Sequence, residues 1–305
     1  LSYTYITLYL MDFSFKISMR NPYILLIGIL ILLVGCYPDI DYISKGYTQK
    51  IIVEGVIESG KYPRIYLSLN VPLSETVDST TIRDKVIRHA KVTVSDGDVE
   101  EILTSKWDVE HFPPYVYFGT EIKGQTGKTY YLKVEYGEEY SGEHAIKSET
   151  TIPLDFQIDS VYIEPTAIDS LRTLSVAINI DKNRKNAYRI YTRKSKDKRY
   201  IETPIVFNSD FSLDGLQKFT LSPLPNKNDS SFAEGKYFAV GDIVDIKVMA
   251  IDSTATQFFK DLTMFSIIAG NISINEIKPL SSNVIEPGFG IWYGCAVQTK
   301  RIIIQ

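Results

Sequence analysis

The sequence predicts an all-β protein built as two β-rich units with one helix. Three observations predict it. Apolar residues recur with period two from Lys50 onward, an Asp96-Gly97 turn sits just after one such run, and Tyr is heavily used, with 21 against 14 Phe and 2 Trp. At 305 residues, 44% hydrophobic and 23% charged, the chain is long enough for two domains and a core that needs no disulfide framework. This composition excludes disorder, collagen and a polytopic membrane protein. A net charge of -4 argues against general nucleic-acid binding, which requires surplus Lys and Arg to neutralise phosphates.

The first element is a targeting segment. Arg20 supplies a positive start, Tyr23 to Val34 an uncharged apolar run, and Leu33-Val34-Gly35-Cys36 the close. The run is a signal-peptide core, too short to span about 30 Å of hydrocarbon as a helix. Its last four residues resemble the bacterial lipobox, which makes Cys36 the lipidated first residue of the mature protein; the competing reading is an ordinary secretory signal with a chance Cys. Residues 1–18 do not fit this plan and are read as upstream sequence, with Met19 the expected start. Removing residues 1–35 leaves 31 basic and 36 acidic residues, a net charge of -5. Residues 36–49, with Tyr37-Pro38-Asp39-Ile40-Asp41-Tyr42, read as a Pro-stiffened tether. With Cys36 acylated, Cys295 has no partner for a disulfide, and its neighbours Gly294 and Ala296 point to a small buried thiol rather than a nucleophile.

Residues 50–153 form the first expected unit, a sandwich of short strands. Ile65, Leu67 and Leu69 alternate with Tyr66 and Ser68, Val92 and Val94 with Lys91, Thr93 and Ser95, and Tyr130, Leu132 and Val134 with Tyr131, Lys133 and Glu135. Asp96-Gly97 predicts a hairpin turn, because Gly accepts positive φ without steric cost. Thr150-Thr151-Ile152-Pro153 closes the unit. Residues 154–305 form the second, where Leu174, Val176, Ile178 and Ile180 alternate with polar or small residues, as do Val244, Ile246 and Val248. One helix is expected at residues 254–269: Thr254 and Gln257 as a capping box, Phe258, Leu262 and Phe265 as a core-facing stripe, and Gly270 as the stop.

In order along the chain come Ile52-Val53-Glu54-Gly55-Val56-Ile57, Pro63 with Leu67-Ser68, Ala90 to Gly97, Gly127-Lys128-Thr129-Tyr130, Thr151-Ile152-Pro153 with Ile158-Asp159-Ser160, and Phe211 with Asp214-Gly215. Gly241 to Val244, Ile251-Asp252, and Asn283-Val284 with Gly288-Phe289-Gly290-Ile291-Trp292 follow. In this order they resemble a family of Bacteroidota outer-membrane lipoproteins catalogued as a domain of unknown function, over nearly the whole mature chain. The resemblance implies an immunoglobulin-like or carboxypeptidase-regulatory-like first domain, and work beside a TonB-dependent outer-membrane transporter. It supplies no catalytic residues. Asp39 and Asp41 behind Cys36 also resemble the acidic export signal of surface lipoproteins, so the cell surface is favoured over the periplasmic face.

Catalytic chemistry was sought in the scarce residue types. His89, His111 and His144 stand apart from other ligand types at metal spacing, and no G-x-S-x-G elbow occurs. Gly124-Gln125-Thr126-Gly127-Lys128-Thr129 mimics a P-loop, but its glycines are wrongly spaced and a strand follows where a helix should. No enzyme activity, cofactor, metal or nucleic-acid partner is expected. Two segments are candidate contacts. Lys182, Arg184, Lys185, Arg193, Lys194, Lys196, Lys198 and Arg199 could meet an anion or partner, and Trp107, Phe112 and Tyr115 could meet a sugar or protein. The competing readings are a solvated hairpin and ordinary strand residues. The function expected is that of a lipid-anchored binding or accessory protein at the outer membrane, with a structural or adhesive surface protein and a carboxylate glycosidase as alternatives.

Overall fold

A computed structural model describes residues 47–72, 75, 78–109, 111–112, 114–138, 140–179, 187–203, 207–208, 215–223, 237–268 and 280–305. The expected signal, lipidation site Cys36 and most of the tether lie outside them. Residues 45–305 make one compact unit.

In chain order the strands are β1 (Ile51–Glu58), β2 (Arg64–Leu69), β3 (Lys91–Ser95), β4 (Glu100–Ile102), β5 (Thr104–Trp107), β6 (Tyr115–Phe118), β7 (Thr129–Glu135) and β8 (Ile146–Thr151). There follow β9 (Gln157–Pro165), β10 (Leu171–Asn179), β11 (Ala187–Lys194), β12 (Ile201–Glu202), β13 (Phe207–Asn208), β14 (Leu216–Leu221), β15 (Phe238–Ala239), β16 (Ile243–Ile251) and β17 (Phe289–Ile303). A short helix α1 spans Ser79–Asp84, capped by the Asp78 carboxylate, and a longer helix α2 spans Ser253–Ile268. The protein is all-β, as the alternation predicts.

Nine strands form one large sheet, in the order β12-β11-β16-β17-β1-β2-β6-β5 with β13 also on β11. A four-stranded sheet, β4-β3-β7-β8, packs against its β1 half, and another, β14-β10-β15 with β9 also on β10, against its β16 half. Inward side chains of all three sheets, among them Val53, Ile65, Val94, Leu132, Leu174, Val176, Ile190 and Val248, form one continuous core. On the opposite face of the large sheet a smaller cluster, with Met249, Ile251, Ile291 and Cys295, takes Ala255 and Phe259 of α2.

Strand β17 joins the two sandwiches. Phe289 to Cys295 pair in parallel with β1, whereas Cys295 to Ile303 pair antiparallel with β16. The expected boundary at 153/154 assigns this whole strand to the second unit; half of it completes the first. Periodicity reports that a segment is a strand but not which neighbour it pairs with.

Three small residues make the join possible. A Cβ on Gly55 would lie 2.6 Å from Trp292 Cε3, and one on Gly290, whose φ is +129°, would lie 2.0 Å from the Val53 carbonyl oxygen. At the crossing itself, Cys295 is fully buried with its Sγ 3.9 Å from the Ile57 carbonyl. Trp292 is fully buried between the sheets, and its Nε1 donates to the Tyr130 carbonyl at 3.3 Å. The Asn283 side chain brackets it, accepting from Trp292 N at 3.0 Å and donating to Trp292 O at 2.6 Å.

The turn at Asp96-Gly97 forms as expected, with Gly97 at φ +93° and the Asp96 carboxylate accepting from the Asp98 and Val99 amides. Helix α2 departs from expectation in two respects. Its cap is Asp252, whose carboxylate accepts from Ala255 N at 2.8 Å. The Phe258, Leu262, Phe265 stripe is not its buried face: Leu262 and Phe265 are exposed, and Ala255 and Phe259 are buried. The expected stop, Gly270, lies outside the described residues.

Trp292→Ala should lower unfolding stability by about 3–5 kcal/mol, because the cavity it leaves is walled by two sheets that cannot collapse independently. Urea denaturation followed by circular dichroism measures the loss, and a smaller effect than from Ile65→Val would contradict the shared-core account.

Candidate functional site

The loops after β1 and β6, together with the tips of β2, β5 and β6, enclose an open groove of about 730 Å³. Lys61, Tyr62, Arg64, Lys106, Trp107, Asp108, Val109, Val116, Phe118 and Lys123 line it. Pairing of β2 with β6 and β5 with β6 sets Arg64 against Phe118 and Lys106 against Val116, so alternate residues of three strands share the groove face.

Each cation is positioned by packing. Lys106 Nζ lies 4.3 Å from the Phe118 ring centroid and Lys123 Nζ 5.0 Å from that of Tyr62. Such contacts orient an ammonium without neutralising it. Among the described residues neither ammonium pairs with a carboxylate, and both side chains are exposed. Arg64 is tied down differently, donating from Nη2 to Asp108 Oδ2 at 2.8 Å and to Tyr66 Oη at 2.6 Å. Tyr66 Oη also donates to Asp108, at 2.9 Å, and His111 stacks on the Tyr66 ring at 3.6 Å. Burial pushes the Tyr66 phenol up, so it remains a donor. Lys61 is held by Glu58, whose carboxyl burial would raise but which Lys247 and Lys61 bring below the usual carboxylate range.

The rim on one side is set by a buried carboxylate. Glu101 accepts from the Thr120, Glu121 and Ile122 amides, at 3.1 Å and 2.9 Å for the last two. Gly119 N donates to the Pro63 carbonyl at 3.0 Å, where a Cβ would lie 2.8 Å from the Pro63 ring. The groove is therefore built before anything binds. Among the described residues no group of three metal-ligating side chains is gathered, and no helix is long and apolar enough to cross a membrane.

The family model for a Domain of unknown function (DUF4249) matches residues 37–301. The chain belongs to that family. No curated protein matches it. Among solved structures, the DUF4249 chain is similar to a cytokine receptor complex, at 11% identity and TM-score 0.23, over 67% of this chain and 85% of that one. It is also similar to the FN1–FN3 domains of chicken CNTN1, at 12% identity and TM-score 0.26, over 83% of this chain and 63% of that one. A third is a segment of two fibronectin type-III domains from chicken tenascin, at 10% identity and TM-score 0.20, over 67% and 91%.

The DUF4249 structure separates the sequence-predicted contacts. Trp107 and Phe112 are exposed, 54% and 47%, with Trp107 in the groove wall. Tyr115 instead serves the fold, its hydroxyl 3.0 Å from Ser105 Oγ and its ring edge-on to Tyr117. Lys182, Arg184 and Lys185 lie outside the described residues. Arg193 and Lys194 are not open to an anion as expected: Arg193 donates to Asp245 at 2.8 Å and Lys194 pairs with Asp242 at 3.1 Å. Among the described residues of this set, Lys196, Lys198 and Arg199, in the turn before β12, stand exposed. The basic hairpin and the aromatic patch occupy opposite ends of the nine-stranded sheet. Lys61, Tyr62, Arg64, Lys106 and Lys123 escaped the sequence reading; the run Lys61-Tyr62-Pro63-Arg64 was its one local signal. Cys295 is the inert buried thiol expected, its proton held by burial.

Two measurements check these assignments. The Asp245 carboxyl is held down to about 2 by Arg301 and Arg193, against an ordinary 3.8. Its contribution is therefore complete above pH 4 and lost as pH falls towards 2. Asp245→Asn should lower the urea midpoint at pH 7 and have a smaller effect at pH 2; equal losses at both would refute the pairing. Cys295 should react with a thiol reagent at least ~100-fold faster in denaturant than in the folded protein, since only the thiolate reacts.

Proposed function

We propose that this protein is a lipid-anchored, non-enzymatic accessory protein of the outer membrane that binds a ligand or partner beside a TonB-dependent transporter, on the cell surface. The observation that carries the reading is the coupling of a lipobox to a rigid body with an open, cation-lined groove. The anchor follows from arithmetic. Each buried CH₂ contributes about 0.8 kcal/mol, so one acyl chain holds a protein reversibly and two or three hold it stably. Asp39 and Asp41 behind Cys36 support surface export. The groove supports binding rather than turnover, because its Asp108 carboxylate is occupied by Arg64 and Tyr66 and its lysines rest on rings.

Two experiments test this. Radiolabelled palmitate should enter the wild-type protein and not Cys36→Ala, which should leave the membrane fraction. Affinity purification from native membranes should recover a TonB-dependent transporter. Absence of label, or repeated recovery of no outer-membrane transporter, would overturn the reading.

A further inference from the structure

We infer that the groove beside β2, β5 and β6 is a docking site for an acidic, extended peptide segment of a partner protein, its carboxylates on Lys106 and Lys123 and its apolar side chains against Trp107 and Val109. This rests on the reading of the protein as a binding module and names what it binds.

Charge complementarity selects the acid. Lys106 and Lys123 lie over Phe118 and Tyr62 with no carboxylate partner among the described residues. Arg64, half exposed, uses Nη2 alone for Asp108 and Tyr66 and keeps its other donors. By contrast, the cations Arg189 and Arg193 at the other end of the sheet are each matched to a carboxylate. An anion arriving at the groove meets charge that the fold has not spent.

The apolar groups select a peptide over a sugar. Sugar recognition stacks on aromatic faces, but an ammonium lies over each of the Phe118 and Tyr62 rings. What stays open is mixed, Trp107 at 54% exposure beside aliphatic Val109 at 77%. Such a rim suits amino-acid side chains.

Random peptides displayed on phage, selected against the full-length protein in detergent, test the assignment. Trp107 supplies the signal, because the other tryptophan, Trp292, is fully buried. Enriched sequences should combine Asp or Glu with apolar residues, and a synthetic copy should shift the Trp107 emission. Binding should weaken at least ~10-fold in Lys106→Ala/Lys123→Ala and in 0.5 M salt, and stay unchanged in Lys300→Ala. Both lysines are exposed, so the double variant should retain its wild-type circular dichroism; if it does not, Lys106→Gln/Lys123→Gln takes its place.

No acidic enrichment, or equal affinity in the double variant, would overturn the inference. So would tighter binding of polygalacturonate or of phosphatidylglycerol vesicles than of the peptide. Failure here with acylation and transporter recovery intact removes the peptide assignment alone. Loss of acylation and of transporter recovery removes the accessory reading on which it rests.

Discussion

The strand Phe289–Ile303 is the constraint from which the rest of the body follows. Fifteen extended residues reach roughly 50 Å, enough to serve two sandwiches in turn. Its first half has β1 on one edge and its second half has β16 on the other, with Cys295 the residue common to both ladders. A strand that changes partner mid-length must present small groups to the closing sheets. A Cβ at Gly294 would lie 2.7 Å from an Ile152 side-chain carbon, and Cys295 sits against the Ile57 carbonyl. Bulk returns one step away, where Trp292 fills the volume that Gly55 vacates. Neither sandwich closes its sheet without this strand, so the two are expected to unfold together.

The electrostatics divide along the same sheet. Near β16, cations meet carboxylates: Arg189 meets Glu202 in a two-toothed pair while lying over Phe259 at 3.6 Å, and Arg193 and Arg301 converge on Asp245. Burial demands this of the enclosed Arg189 and of Asp245, because an unpaired charge away from water is costly. At the β5 end the lysines are exposed, so the fold imposes no such demand. Their ammonium groups rest on rings for order, and their charge remains available. Cations therefore serve structure at one end and are left for recognition at the other, and what separates them is whether the fold places a carboxylate beside them.

How much of this was legible depended on range. Alternation in Ile65 to Leu69 and Val244 to Val248 reported strands because each strand has a buried face, and Asp96-Gly97 reported its turn because the backbone there requires positive φ. The parallel pairing of β1 with β17 was not legible, since it joins segments more than 230 residues apart and parallel partners leave no turn between them. Helix α2 was found but misread on its axis. Thr254 and Gln257 satisfy the local capping pattern, yet Asp252 at the strand end reaches the amide first. The basic run was legible as charge, but its carboxylates, Asp242 and Asp245, lie about fifty residues away. The groove escaped for the converse reason: its cations come from three segments far apart in sequence, with only Lys61 and Arg64 close together.

Preorganisation decides whether such a groove is useful. A loop that must order itself on binding costs affinity in proportion to the side chains it immobilises. Here the Glu101 carboxylate collects three successive amides of the 120–122 loop, which fixes the backbone leading to Lys123. Asp108 gathers Arg64 and Tyr66, with His111 stacked on the same ring, and so pins the segment after Trp107. Both rims are thus anchored by enclosed carboxylates whose oxygens are already engaged by neighbouring donors. Acidic side chains spent in this way hold the walls without cancelling the lysines. A site whose own carboxylate is already satisfied by Arg64 and Tyr66, while Lys106 and Lys123 have no carboxylate partner among the described residues, is arranged for an incoming negative charge.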